Sequence, residues 1–118
     1  MASNPSLPPP AVLILRRGTL RLDHDTYQRY FAGCPSVILL PRGGRLLILP
    51  VAHLGGGGNI VKVVNAKGDR GVAAADLFRE LGLREDCLEG DGEATYQACW
   101  SSEQAGLVIE GFYTEDAR

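Results

Sequence analysis

The sequence predicts a mostly β domain of the α+β class with two short helices, made of two successive β-β-α-β-β units. Short apolar segments separated by glycine turns are typical of strands joined in hairpins. The same order of segments occurs twice. A shift of fifty positions places residues 13–33 over residues 63–83, so that Leu13 meets Val63 and Gly18 meets Gly68. We therefore expect a duplicated, β-rich domain.

Length and composition favour one globular domain. The chain has 118 residues, of which 45% are hydrophobic and 22% charged. It contains no run of about 18 apolar residues, so we expect no membrane-spanning segment and no membrane partner. Residues 1–11 lack the pattern of a signal peptide and are predicted to form a disordered, proline-rich arm. The expected location is the cytoplasm.

The first unit is assigned to residues 12–51. An apolar strand leads to a turn at Arg17-Gly18, and the alternating segment Thr19–Leu22 predicts a second strand. Asp23 is a suitable N-cap for a two-turn helix that ends at Gly33. The buried stripe of that helix is predicted to be Tyr27, Tyr30 and Phe31. A hairpin over residues 36–51, turning at Gly43-Gly44, completes the unit.

A glycine-rich joint, residues 52–59, leads to the second unit, residues 60–113, and a tail, residues 114–118. The joint lacks the following helix and the Lys-Ser or Lys-Thr pair of a phosphate-binding loop, so we interpret it as a connection. The second helix is predicted from the stripe Leu77, Phe78 and Leu81, ending at Gly82. An acidic insertion, residues 84–95, then precedes a hairpin over residues 94–113.

No arrangement of residues indicates catalysis, a metal site or a cofactor. Cys34, Cys87 and Cys99 are widely spaced, and His24 and His53 do not lie near them in a metal-ligand pattern. Nucleophile elbows and metalloprotease motifs are absent. A catalytic His24–Asp25 pair acting with Cys34 is the least favoured hypothesis. We therefore expect a non-enzymatic protein without a cofactor.

The quoted segments resemble the AbrB/MazE/MraZ swapped-hairpin family. The resemblance rests on the Gly18–Asp23 segment "GTLRLD", the short helix and the apolar hairpin, and it covers about residues 12–51 and 60–112. It implies a pseudo-twofold swapped-hairpin β-barrel, with both units in one chain as in MraZ-like proteins. It also implies that the two glycine turns emerge side by side.

The same resemblance implies a DNA-binding transcriptional regulator. In that family, basic strand turns enter the major groove. The matching positions here are Arg16, Arg17 and Arg21 in the first unit, and Lys67 and Arg70 in the second. Arginine and lysine suit contacts to guanine and phosphate.

The charge distribution supports an alternative, an accessory protein that binds another protein or a second copy of itself. Residues 1–59 carry six basic and two acidic side chains, whereas residues 60–118 carry six basic and twelve acidic ones. The net charge of −2 and the acidic insertion disfavour the binding of a polyanion such as DNA. The sequence leaves DNA binding and protein binding open.

Overall fold

In the computed structural model, which describes residues 10–53 and 57–115, eight antiparallel strands form a closed barrel with three short helices. The first part contains β1 (Ala11–Arg16), β2 (Thr19–Leu22), α1 (His24–Tyr30), β3 (Ser36–Arg42) and β4 (Arg45–Val51). The second contains β5 (Asn59–Val63), β6 (Arg70–Ala73), α2 (Ala75–Glu80), α3 (Glu85–Leu88), β7 (Glu93–Ser101) and β8 (Gly106–Ile109).

Local sequence explains the first hairpin and helix. Arg17 and Gly18 both have positive φ, 53° and 74°, the geometry of a two-residue turn that matches the twist of its strands. β2 then alternates half-buried Thr19 and Arg21 with buried Leu20 and Leu22. The Asp23 side chain accepts a hydrogen bond of 2.8 Å from the Thr26 amide, which confirms the predicted N-cap.

The barrel order is β1-β2-β6-β5-β3-β4-β8-β7. The two hairpins of residues 10–53 do not pair with each other. Each lies between hairpins of residues 57–115, through the pairs β1–β7, β2–β6, β3–β5 and β4–β8. The interior is filled by apolar side chains with at most 2% exposure, including Leu13, Leu15, Leu46, Ile48, Leu107, Ile109, Phe31 and Phe78. Neither group of hairpins therefore closes a barrel by itself.

The third helix was not predicted. α3 lies within the acidic insertion, and it buries Cys87 and Leu88 against the barrel end. Its Cys87 carbonyl accepts a 2.9 Å hydrogen bond from the Gly18 amide, so the insertion packs beside the first turn. Cys87 and Leu88 of the insertion thus belong to the core.

Two predicted boundaries change. Ala11, assigned to the arm, is the buried first residue of β1, whereas residues 1–9 lie outside the described part of the chain. β5 begins at Asn59, inside the predicted joint, and residues 54–56 of that joint also lie outside the described part. No helix in the two described ranges is long and apolar enough to cross a membrane.

The fifty-residue offset is wrong in β5. It matches Leu13, which is fully buried, with Val63, which is 62% exposed. The cause is a difference in loop length: Arg16 pairs with Thr19 across a two-residue turn, whereas Val63 pairs with Arg70 across the longer loop Val64–Asp69. Residues of β1 and β5 that the offset matches therefore do not occupy equivalent positions in the two strands.

Candidate binding surface

The outward face of β1, β2, β6 and β5 carries a row of aligned residues. Arg21 on β2 lies opposite Ile14 on β1 and Gly71 on β6. Gly71 in turn lies opposite Lys62 on β5. Side chains of aligned residues project from the same side of a sheet. Arg21 and Lys62 therefore flank a position without a side chain.

Two neighbouring side chains occupy the space above Gly71. A Cβ atom added to Gly71 would lie 2.8 Å from both Thr19 Cγ2 and Val64 Cγ1, closer than real Cβ contacts allow. Thr19 and Val64 therefore cover the Gly71 backbone, and a larger residue there would displace them. Thr19 and Val64 also line both of two adjacent surface depressions, here together named the basic groove, whose lining includes Arg16, Arg17, Thr19, Arg21, Ile60, Lys62, Val64, Gly71 and Ala73.

The floor of the basic groove is apolar. Ile60 is 58% exposed and Val64 is 40% exposed, so two β-branched side chains present aliphatic surface to solvent. Ala73 and Gly71 continue this surface on β6. Cations at the sides and exposed aliphatic groups at the base define an amphipathic surface.

Three of the five predicted DNA-binding residues line the basic groove: Arg16, Arg17 and Arg21. Acidic residues lie among them. Arg17 forms a 2.7 Å ion pair with Asp91, and Arg16 lies opposite Glu93 in the β1–β7 register. Carboxylates thus offset part of the positive charge at this end of the groove.

Lys67 and Arg70 do not join these arginines. Thr19 pairs with Ala73 and Leu22 pairs with Arg70, so the Arg17-Gly18 turn and the Val64–Asp69 loop lie at opposite ends of the β2–β6 pair. The prediction that the two turns emerge side by side is wrong, because β2 and β6 pair antiparallel.

Arg70 also points to the other side of its strand. Its partner Leu22 is a buried core residue, and the Arg70 guanidinium lies 4.1 Å from the centre of the Tyr27 ring. It additionally donates a hydrogen bond to the Gly68 carbonyl. Arg70 is therefore engaged in a cation–π contact at the barrel end, and its side chain is not part of the groove.

Asp69 supplies a further carboxylate near the basic residues. Its Oδ2 accepts a 2.9 Å hydrogen bond from Asn65 and its Oδ1 accepts one of 3.0 Å from the His24 amide. The Asn65 hydrogen bond is the largest cause that lowers the pKa of Asp69, and the positive charges of Lys67 and Arg21 act in the same direction. The carboxylate therefore stays ionised beside the groove.

Sequence reasoning missed Lys62 and Gly71. The available signal was the alternation of Ile60 and Lys62, which places these two residues on one face of β5, with Val64 directly after the strand. Which strand lies beside β5 could not be read from that alternation. The closure of the barrel decides it.

No family model, curated protein or solved structure matches this chain. Among the described residues, no three His, Cys, Asp or Glu side chains are grouped so that they could hold a metal ion.

Proposed function

We propose that this chain is a non-enzymatic binding module whose basic groove binds an acidic, partly apolar segment of a partner protein. The observation that carries the proposal is the alignment of Arg21 and Lys62 on either side of Gly71, next to the exposed aliphatic side chains of Ile60 and Val64. The cations suit carboxylates, and the floor suits aliphatic or aromatic side chains.

Charge balance around the groove favours a protein over a nucleic acid. A duplex requires a surface that neutralises several phosphates at once. Here Asp91 already pairs with Arg17, Glu93 faces Arg16, and Asp69 lies near Arg21. A short acidic peptide segment needs only two or three cations, which Arg21 and Lys62 help to supply.

We further propose that the two units are related by a pseudo-twofold axis, as in the swapped-hairpin barrels that the sequence resembles. The axis would exchange strands one to four with strands five to eight, in order. The β1–β7 pair then becomes the β5–β3 pair, and the β2–β6 and β4–β8 pairs are each exchanged with themselves. In this arrangement the axis passes between β2 and β6, at the centre of the basic groove.

Affinity purification of the tagged full chain from its native host tests the groove. The double variant Arg21→Glu/Lys62→Glu reverses the charge of the two cations that flank Gly71. Arg29→Glu/Arg42→Glu is the matched control, because it makes the same change of charge at exposed residues outside the groove. We expect a stoichiometric protein to copurify with wild type and control, and to be reduced about tenfold or more with the groove variant. Equal recovery with all three would contradict the proposal.

DNA binding is the second candidate, since Arg16, Arg17 and Arg21 share one depression. If DNA is the ligand, a fluorescent duplex from the region upstream of the gene should bind, and log affinity should fall linearly with log salt. The groove variant should abolish the shift and the control should retain it. No shift at low salt would remove this candidate. The copurification of a partner protein is a separate measurement, so the two candidates can fail independently.

A further inference from the structure

A second concave site lies at the end of the barrel and shares no lining residue with the basic groove. It is a solvent-open cavity of about 520 Å³ lined by the α2–α3 connection, the start of β7 and the chain after β8. Its apolar wall includes Leu15, Leu83 and Phe112, and its polar groups include Arg84 and Tyr96. The gap inside the barrel that Tyr27 and Phe31 of the α1 region line measures only about 10 Å³.

The insertion forms a fixed wall of this cavity. Arg79 on α2 holds α3 through contacts of 2.9 Å to Glu85 and 2.6 Å to Glu89. The carbonyl of Asp86 accepts hydrogen bonds from the amides of Gly90 (3.1 Å) and Gly92 (2.9 Å), which closes the loop after α3. Because α3 is held from both sides, its side of the cavity is formed before any ligand binds.

Arg84 provides a cation at the rim. Within the described residues its contacts use Nε and Nη2: Nε lies 3.3 Å from Asp86 Oδ1, and Nη2 lies 3.1 Å from Cys87 Sγ and 3.4 Å from the Glu93 carbonyl. The two Nη1 donors remain for an anion, and a guanidinium binds carboxylates well.

Tyr96 and Phe112 provide an aromatic wall and a second donor. Their ring centres are 4.8 Å apart. Burial raises the pKa of the Tyr96 phenol, so this group stays protonated at neutral pH and can donate a hydrogen bond. The Glu93 side chain at the same rim disfavours ligands with a second negative charge.

We propose that this cavity binds a small monocarboxylate with an aromatic body, the carboxylate at Arg84 and the ring between Leu83 and Phe112. The volume lies within the range of roughly 300–1,000 Å³ that is usual for small-molecule sites. The site is independent of the basic groove, so either assignment can fail without the other.

Titration of the full chain with 3-phenylpropionate, followed by amide NMR shifts, tests the proposal. We expect saturable shifts concentrated at Leu83, Ala94 and Phe112, with a Kd below about 1 mM. The alcohol 3-phenylpropan-1-ol lacks the charge and should bind about tenfold more weakly or worse. Equal affinity for acid and alcohol, or shifts that do not saturate, would overturn the assignment.

Two variants locate the site. Arg84→Met should weaken binding of the acid about tenfold while leaving the alcohol unchanged, and Arg42→Met is the matched control that should bind like wild type. Ala94→Phe should fill the cavity and weaken both compounds, with a dispersed spectrum showing that the fold is kept. Undiminished binding of the acid to the folded Ala94→Phe variant would overturn the proposal, whatever Arg84→Met does to stability.

Discussion

Gly18 combines a positive φ with close packing. Its φ is +74°, and an added Cβ would lie 2.7 Å from Ala75 Cβ and 3.4 Å from the Leu88 carbonyl oxygen. Gly18→Ala should therefore combine left-handed strain with overpacking and lower the free energy of unfolding by about 2–4 kcal/mol. Urea denaturation measures this change.

Gly33 is the matched control for that substitution. Its φ is +79°, but nothing lies within 4 Å of an added Cβ. Gly33→Ala should cost only the backbone strain, about 1 kcal/mol. Equal losses at the two glycines would show that the first turn is not packed against α2 and α3 as described.

Asp69 gives the fold a pH dependence. Its pKa is lowered from 3.8 in the folded protein, chiefly by the Asn65 hydrogen bond, so the ionised carboxylate stabilises the fold above pH 3.8. As the pH falls below 3.8 toward the folded pKa, the unfolded chain takes up this proton first and that stability is lost. Asp69→Asn should therefore flatten the dependence of the urea midpoint on pH in this window. An unchanged slope would contradict the assigned contacts.

For single residues, the sequence did not predict the direction in which a side chain points. Arg70 belongs to the basic turn by sequence, but the register with Leu22 turns it toward Tyr27. Lys62 was unremarkable in the sequence and becomes a groove residue because β6 presents Gly71 beside it. Neither result follows from local pattern, because both depend on which strands are neighbours.

α3 is joined to α2 by a charged network. Arg79 contacts Glu85 and Glu89, as well as Asp76 on its own helix, and such exposed pairs contribute little to global stability. Arg79→Met should therefore change global stability little but speed hydrogen exchange at the Glu89 amide, which donates to the Glu85 carbonyl.

A control for α3 is Arg45→Met, which removes a single longer pair, 3.8 Å, to Glu110. That variant should leave exchange at Glu89 unchanged. If Arg79→Met also leaves it unchanged, α3 is held by the packing of Cys87 and Leu88 alone.

The sequence predicted those elements whose turns and caps require particular residue types. The hairpin turns at Gly18 and Gly43-Gly44 and the Asp23 cap require particular residues, and all are present. α3 escaped prediction because four residues are too few to show helical periodicity. The longer Val64–Asp69 loop escaped because its added residues shift β5 relative to β1 without interrupting either apolar pattern.

At the scale of the whole molecule, each of the two parts completes the barrel of the other. Apart from the pairs within the hairpins, the barrel has four seams between neighbouring strands. Each of these four seams joins a hairpin of residues 10–53 to one of residues 57–115, so each part lacks a closed interior without the other. The basic groove spans one of these seams, between β2 and β6, and exists only when both parts are present.

Fragment complementation tests this dependence most directly. Residues 1–54 and 55–118 are prepared separately, and amide NMR spectra are recorded for each fragment and for the equimolar mixture. We expect neither fragment to give a dispersed spectrum at monomer mass, and the mixture to reproduce the spectrum of the intact chain. A dispersed spectrum from either fragment alone at monomer mass would contradict the interleaved barrel.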